Sequence, residues 1–215
     1  MPVIKFKAGG DYCIMDSTRD KRGKTEEEFL REYDVTQYFR PSVTVDALLY
    51  YPVRENEIKL LMIKRGGHPF IGTYAFPGGF VEKDEPCEVA VRRELEEETN
   101  ITGVPLRQLV TVSTPERDPR WRNITVVYGG RLSLLPKAAA GDDAASAKWF
   151  DVRRDGNRLY FSCDGEAFTS TLDIVRDEFG DIDLNNTKIV ERGSTAFDHA
   201  KVVLYLFASL EKEEK

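Results

Sequence analysis

Three glutamates at helical spacing constrain this chain more than any other feature of its sequence. Glu94, Glu97 and Glu98 stand at positions i, i+3 and i+4, so their side chains project from one helical face. Like charges at this spacing destabilise a helix by roughly 0.2–0.5 kcal/mol per pair unless a cation lies among them. Carboxylate oxygens are the ligands that Mg²⁺, Mn²⁺ and Ca²⁺ prefer. The spacing therefore predicts either a metal site or a solvated acidic face.

The residues on both sides of these glutamates favour the metal site. Pro77, Gly78 and Gly79 predict a turn at which the backbone approaches a ligand closely. Pro86 is expected at the first position of the helix, and Asn100 is expected to end it because asparagine tolerates the left-handed conformation of a helix C-terminus. The helix is expected to pack on the core through three apolar side chains: Val89, Val91 and Leu95.

These residues form part of a longer pattern, G-x5-E-x7-R-E-U-x-E-E-x-G-U, in which U is a bulky aliphatic residue. The matching positions are Gly79, Glu85, Arg93, Glu94, Leu95, Glu97, Glu98 and Ile101. Asn100 replaces the last glycine of the pattern. This is the signature of the Nudix hydrolases, and the chain resembles that family. Segments 63–80, 112–128 and 140–152 are similar to its ADP-ribose pyrophosphatase-like branch. The resemblance implies an α/β fold, an α/β/α sandwich with a mixed β-sheet, and strands flanking helices on more than one side favour it too.

The resemblance implies a role for each signature residue. Glu94, Glu97 and Glu98 are expected to bind Mg²⁺ or Mn²⁺, with the Gly78 carbonyl as a further ligand. Glu85 and Arg93 are expected to hold those carboxylates in position, which completes the catalytic set of Glu85, Arg93, Glu94, Glu97 and Glu98. The alternative for Arg93 is an ordinary surface ion pair, worth about 0–1 kcal/mol.

The substrate contacts and the general base are less closely defined. Arg65 ends a predicted strand and is expected to bind a substrate phosphate, although solvation of the strand end explains it equally well. Glu116 and Arg117 lie in a loop that either binds the substrate or forms a stable turn rich in Pro and Asp. The base that takes a proton from the attacking water is expected to be Asp143, in the small-residue loop 138–147, or Glu116. The sequence does not decide between them.

The function implied by the resemblance is metal-dependent hydrolysis of a nucleoside diphosphate linked to another group. ADP-ribose is the first substrate expected, with AMP and ribose 5-phosphate as products. The alternatives are a nicotinamide-metabolite sensor that regulates transcription and a non-catalytic nucleotide binder. From Asp151 to Lys215 there are nine Lys and Arg against fourteen Asp and Glu. A DNA-binding module of that sign would be repelled by phosphates.

The patterning divides the chain into three parts. Residues 1–40 are expected to be an N-terminal lead segment of a ribbon and a short helix, 41–152 the Nudix core, and 153–215 a C-terminal α+β extension packed on the core. Phe168, Leu172 and Val175 indicate a short amphipathic helix in that extension. The last helix is predicted over about 196–210.

Composition narrows the class of protein further. A chain of 215 residues with 41% hydrophobic content can bury one good core, and its net charge of −6 argues against a nucleic-acid partner. The sequence shows no signal peptide and no apolar run of ~18 residues, which predicts no membrane partner. Three widely spaced cysteines indicate free thiols and a cytoplasmic location. The resemblance is compatible with a homodimer.

Overall fold

A computed structural model describes residues 4–6, 12–14, 18–137 and 144–213. The chain divides into two compact units, residues 1–40 and residues 41–215. The family signature and all the candidate site residues lie in the second unit.

The first unit contains a small ribbon and one helix. Strands β1 (Ile4–Phe6) and β2 (Tyr12–Ile14) pair antiparallel. Helix α1 (Glu26–Glu32) begins after Thr25, whose hydroxyl accepts the Glu28 backbone N–H while the Glu28 carboxylate accepts the Thr25 N–H. This capping box satisfies two of the donors that a helix N-terminus leaves open.

The second unit is built on a ten-stranded sheet. Its strands are β3 (Ser42–Arg54), β4 (Glu57–Arg65), β5 (Tyr74–Ala75), β6 (Gly78–Phe80), β7 (Arg107–Val112), β8 (Asn123–Arg131), β9 (Ala144–Asp155), β10 (Arg158–Cys163), β11 (Glu166–Asp173) and β12 (Lys188–Glu191). The order is β12-β11-β10-β9-β4-β3-β8-β7, with β5 paired to β4 and β6 to β3. Strands β3 and β8 run parallel, while β3 and β4 run antiparallel. The predicted mixed sheet is confirmed.

One helix covers each face of this sheet. Alternate residues of β3 point to opposite faces: Val45, Ala47 and Leu49 pack in the same cluster as Ala90, Val91 and Leu95 of helix α2 (Cys87–Thr99). Leu48 and Tyr50 pack in the cluster that contains helix α3 (His199–Glu213). The arrangement is the α/β/α sandwich that the sequence predicts.

The C-terminus of α2 agrees with the sequence prediction, whereas its N-terminus differs from it. Asn100 has φ 57° and its N–H bonds the Glu96 carbonyl, so it ends the helix in the left-handed conformation as predicted. Pro86 has an extended backbone and precedes the helix, so it is not the first helical residue. Val89 is half exposed and does not anchor the helix. Ala90 takes that place because it lies on the face turned to the sheet.

The short helix predicted around Phe168, Leu172 and Val175 is wrong, since β10 and β11 form a hairpin there. Its turn is Asp164-Gly165, with φ 49° and 83°. Asp-Gly with both φ angles positive is a preferred two-residue hairpin turn. That dipeptide was the local signal for the strands. The last helix starts at His199, three residues later than predicted.

In the part of the chain that the structure describes, no helix is long and apolar enough to cross a membrane.

Candidate active site

The turn before α2 brings the backbone against the acidic helix. Strand β6 pairs with β3, with Gly78 opposite Asp46. A Cβ atom on Gly78 would lie 2.1 Å from the Val45 carbonyl oxygen, and one on Gly79 would lie 2.4 Å from the Glu94 Oε1 atom. Side chains at these two positions would therefore push the strand and the glutamate away. Glycine is required here for the close approach.

Glu98 is tied to this turn. Its Oε2 atom accepts the Gly78 backbone N–H at 2.8 Å. Burial raises the pKa of Glu98 to about 7, and the negative charges of Glu94 and Asp46 act in the same direction. A divalent cation bound beside Glu98 would oppose both effects, because it favours the ionised carboxylate.

Arg93 lies among the remaining carboxylates of the signature. Its Nη2 atom donates to Glu85 Oε1 at 2.7 Å, and Nη1 donates to Glu94 Oε1 at 2.9 Å and to Glu97 Oε2 at 3.0 Å. The bond from Arg93 lowers the pKa of Glu85, whereas burial raises the pKa of Glu94. One guanidinium thus holds three carboxylates, as expected of a residue that orients metal ligands.

The donor set suits a hard divalent cation. Glu94 and Glu98 offer carboxylate oxygens beside the two glycines of the turn, whose backbone is close enough to contribute a carbonyl. Glu97 adds a third carboxylate on the same helix, bonded to Arg93. With Arg93 between Glu94 and Glu97, the described residues contain no group of three acidic, histidine or cysteine side chains gathered for one ion. Gathering these carboxylates around a cation requires some of their bonds to Arg93 to be exchanged.

A cavity of about 160 Å³ opens beside the turn. It is lined by Thr44, Asp46, Arg65, Ala75, Phe76, Gly78, Gly79, Phe80, Arg117, Asp118, Arg120, Phe197 and His199. Arg65 is therefore placed on the same cavity as the predicted metal-binding turn. Its Nε atom donates to the Pro69 carbonyl at 2.8 Å, which fixes the orientation of the guanidinium.

Arg117 lines the cavity, and one edge of its guanidinium is paired with a buried carboxylate. Its Nε and Nη2 atoms donate to the two carboxylate oxygens of Asp198 at 3.0 and 2.7 Å, and its side chain is only 4% exposed. Arg117 thus ties the loop before β8 to the start of α3. Glu116 is exposed and is not one of the residues that line this cavity. Asp142 and Asp143 lie outside the described residues.

The sequence analysis missed a buried pair on the cavity wall. The Nδ1 atom of His199 accepts the Phe76 N–H at 3.0 Å, so the neutral ring carries its proton on Nε2, which lies 3.7 Å from Asp46 Oδ1. Burial lowers the pKa of His199 and keeps the ring neutral. The other oxygen of Asp46 accepts the Thr125 hydroxyl at 2.6 Å. No local motif marks these residues, because the fold brings them together from distant parts of the chain.

Asp118 and Arg120, charged residues of the same loop as Glu116 and Arg117, form a second arrangement on the cavity wall. Asp118 accepts two side-chain bonds from Arg120, at 3.0 and 2.7 Å, and one from Asn123 at 2.6 Å. The Arg120 bonds lower the pKa of Asp118 against the effect of burial. The guanidinium of Arg120 lies 5.2 Å from the centre of the Phe80 ring.

Cavity size alone does not identify the site. A larger cavity of about 390 Å³ lies between β7, β8 and the second half of α3. No signature residue lines it. The smaller cavity is preferred here because it combines the glycine turn, the acidic helix and oriented arginines.

Comparison with known proteins agrees with this geometry. Residues 41–154, just over half of the chain, match the family described as the NUDIX domain. The chain therefore belongs to the Nudix family, as the signature predicts.

Among similar proteins is an ADP-ribose pyrophosphatase of Methanocaldococcus jannaschii, 42% identical over 120 residues, which cover 54% of this chain and 64% of that protein. The ADPR-responsive transcriptional repressor NtrR of Acinetobacter baylyi is 34% identical over 132 residues, 60% of this chain and 52% of that protein. The chain thus spans between half and two thirds of these relatives. A crystal structure of a MutT/nudix family protein from Enterococcus faecalis has a TM-score of 0.71 and 31% identity, covering 89% of this chain and 71% of that one.

Proposed function

We propose that this protein hydrolyses the pyrophosphate bond of a nucleoside diphosphate linked to another group. The observation that carries the proposal is the glycine turn at 78–79, packed against Glu94 and Glu98 on a cavity that Arg65 also faces. A phosphate in this cavity lies between an acidic face suited to cations and an oriented arginine. The similarity to an ADP-ribose pyrophosphatase favours ADP-ribose as substrate, with AMP and ribose 5-phosphate as products.

The residues proposed to hold Mg²⁺ or Mn²⁺ are Glu94, Glu97, Glu98 and the Gly78 carbonyl. Bound there, the cations neutralise phosphate charge and lower the pKa of a bound water. Arg93, with Glu85 behind it, keeps Glu94 and Glu97 on the side of the helix that faces the turn. Glu98 is kept close to Gly78 by the hydrogen bond from the backbone.

The chain's other residues bind the substrate and handle the proton. Arg65, fixed by the Pro69 carbonyl, donates to a phosphate oxygen. Arg117 acts through Asp198 and shapes the cavity. The oxygen of a water molecule attacks one phosphorus of the pyrophosphate, and a carboxylate, of Glu116 or Asp143, takes the proton from that water. The bond between the attacked phosphorus and the bridging oxygen breaks.

The same proposal includes the domain boundaries, the location and the oligomeric state that the sequence predicts. Residues 41–152 form the catalytic core, residues 153–215 continue its sheet and supply α3, and the protein acts in the cytoplasm as a homodimer. Light scattering on the purified protein checks the dimer.

A substrate panel tests the proposal. ADP-ribose, NADH, a nucleotide sugar, a diadenosine polyphosphate and a nucleoside triphosphate are each incubated with Mg²⁺ or Mn²⁺, and release of AMP or phosphate is measured. We expect ADP-ribose to be turned over fastest, with no turnover in EDTA. Glu97→Gln or Glu98→Gln should lower kcat by about 100-fold or more, since metal stabilisation of the transition state amounts to several kcal/mol. Near wild-type turnover by these variants would contradict the assignment of Glu97 and Glu98 as metal ligands.

A second candidate function is suggested by the similarity to a transcriptional repressor that responds to ADPR. In this chain the residues after Asp151 form β10, β11, β12 and α3, which extend the sheet and cover one face of it. They carry more acidic than basic side chains. Tight ADP-ribose binding without turnover, together with sequence-specific binding of duplex DNA at low salt, would favour the regulator over the hydrolase.

A further inference from the structure

Phe197 is held in a conformation that a phenylalanine rarely adopts. Its φ is 44°, in the left-handed region, although it is 7% exposed and lies just before α3. A bulky residue at positive φ is an outlier that the surrounding structure must enforce, and such outliers cluster at functional sites.

The enforcing contacts come from both sides of the residue. The Tyr74 N–H bonds the Ser194 carbonyl at 2.7 Å, and the Ala196 N–H bonds the Tyr74 carbonyl at 2.8 Å, so the segment is pinned to β5. The carbonyl of Phe197 accepts a bond from Arg192. These bonds fix the backbone and direct the ring to the wall of the cavity.

The ring of Phe197 supports two arginines of that wall. The guanidinium of Arg65 lies 4.9 Å from the ring centre and that of Arg120 lies 5.8 Å from it. The ring of Phe70 packs edge-on against Phe197 with ring centres 4.9 Å apart, and the guanidinium of Arg192 lies over the Phe70 ring. An aromatic face attracts a cation electrostatically, and the attraction is stronger where water is excluded from the contact.

Two arginines on one ring repel each other. Burial lowers the pKa of Arg65, and the positive charge of Arg120 lowers it further. Each guanidinium is also held at one edge, Arg65 by the Pro69 carbonyl and Arg120 by Asp118. Glu98, Asp118 and Asp46 offset part of this repulsion. The arrangement still places two guanidiniums on one wall of the cavity, where an anion with two charged groups can bind both.

We propose that Phe197 is a positioning residue that holds Arg65 and Arg120 as a paired site for the two phosphates of the substrate. The inference rests on the proposed function and adds two residues to it. Arg120 becomes a substrate-binding residue, and Phe197, which lies outside the matched NUDIX segment, sets the geometry of both arginines.

The alternative is that Phe197 only fills space in the core, since it packs with Ile63, Ala75 and Ala196. Two substitutions chosen with the positive φ in mind distinguish the two roles. Phe197→Gly removes the ring but suits the left-handed backbone, so the loss of packing is partly offset. Phe197→Tyr keeps the ring face and should rescue a positioning role.

The test is ADP-ribose binding by the full chain, measured by isothermal titration calorimetry in EDTA so that metal-dependent turnover does not contribute. We expect Phe197→Gly to raise the Kd about tenfold, the size of a lost cation–aromatic support. Phe197→Tyr should stay within about twofold of wild type. Thermal unfolding of each variant, followed by circular dichroism, establishes that the comparison is made on folded protein.

Asp164→Gly is the matched backbone control, because Asp164 also has a positive φ, of 49°, but lies in the β10–β11 turn and does not line the cavity. Its Kd should stay within about twofold of wild type. Equal losses in Asp164→Gly and Phe197→Gly, an unchanged Kd in Phe197→Gly, or no binding by wild type would each overturn the inference. Metal-dependent turnover of ADP-ribose by wild type is a separate measurement that decides the proposed function. The inference about Phe197 and the proposed function can therefore fail independently.

Discussion

Arg93 and Arg117 both hold carboxylates at the candidate site, and they differ in burial and in the distance along the chain to their partners. Arg93 bonds Glu85, Glu94 and Glu97, all within eight residues of it, and its side chain is 26% exposed. Arg117 bonds Asp198, which is 81 residues away, and both side chains are almost fully buried. The first cluster lies on helix α2 and the turn just before it, whereas the second joins a loop to the start of the helix on the other face of the sheet.

The difference separates an arginine that orients functional groups from one that holds the fold together. Around Arg93 the carboxylates outnumber the cation, so water or a metal ion can exchange with it at little cost to the fold. Around Arg117 one charge matches one charge in a dry setting, and neither can be removed without leaving the other unpaired. The sequence analysis assigned Arg93 to orientation and Arg117 to substrate contact. The structure supports the first role by its geometry, and it places Arg117 in a buried pair with Asp198.

The largest effect is expected from breaking the buried pair. Arg117→Met should lower the free energy of unfolding by about 3–5 kcal/mol, because Asp198 is left buried without its partner. Urea denaturation followed by tryptophan fluorescence measures the change. The double variant Arg117→Met, Asp198→Leu removes both charges and should recover much of the loss. A single variant that loses less than about 1 kcal/mol would show that the pair behaves like an exposed one.

The next effect is a pH dependence of stability that comes from Glu98. Its pKa in the folded protein is about 7, above the ordinary 4.5, so the folded state binds the proton more tightly than the unfolded chain does. The stabilisation is full below pH 4.5 and is lost as the pH rises through 7. A separation of about 2.5 pH units corresponds to at most about 3 kcal/mol.

Unfolding in EDTA between pH 4.5 and 8 checks this effect, with Glu98→Gln as the reference that cannot titrate. Wild type should lose stability relative to the variant as the pH rises. Saturating Mg²⁺ should weaken that trend, because the cation favours the ionised carboxylate. Parallel curves for the two proteins in EDTA would contradict the assigned pKa.

Arg93 should behave in the opposite way to Arg117. Arg93→Gln should change the free energy of unfolding by less than about 1 kcal/mol, since its pairs are partly exposed. Its kcat for ADP-ribose should fall about 10–100-fold, because the metal ligands lose the group that orients them. Steady-state kinetics and urea denaturation on the same preparation measure both. A large loss of stability with unchanged kcat would make the two arginines equivalent and remove the contrast.

The contrast between the near partners of Arg93 and the distant partner of Arg117 also explains which parts of the fold and site the sequence predicts. The acidic face of α2, its asparagine C-terminus and the glycine turn follow from spacings of a few residues, and β3 and β4 follow from dense apolar runs. His199 and Phe197 reach the cavity, and Asp198 reaches Arg117, only because β5 pairs with the segment before α3. No local period encodes that pairing. The hairpin of β10 and β11 was predictable from Asp164-Gly165, but the weaker helical spacing of Phe168 and Leu172 was followed instead.

The smallest effect concerns the one departure from the signature. Asn100 has φ 57°, a conformation that glycine adopts freely and asparagine tolerates. Asn100→Gly should therefore change the free energy of unfolding by less than about 1 kcal/mol and leave kcat and KM unchanged. Asn100→Val is the matched contrast, because a β-branched side chain is poorly suited to this backbone and should cost about 1–2 kcal/mol. Activity lost in proportion to stability in the valine variant would mean that the end of α2 also sets the positions of Glu97 and Glu98. Activity retained there would confine catalysis to the carboxylates and Arg93, and leave Asn100 as a helix terminus only.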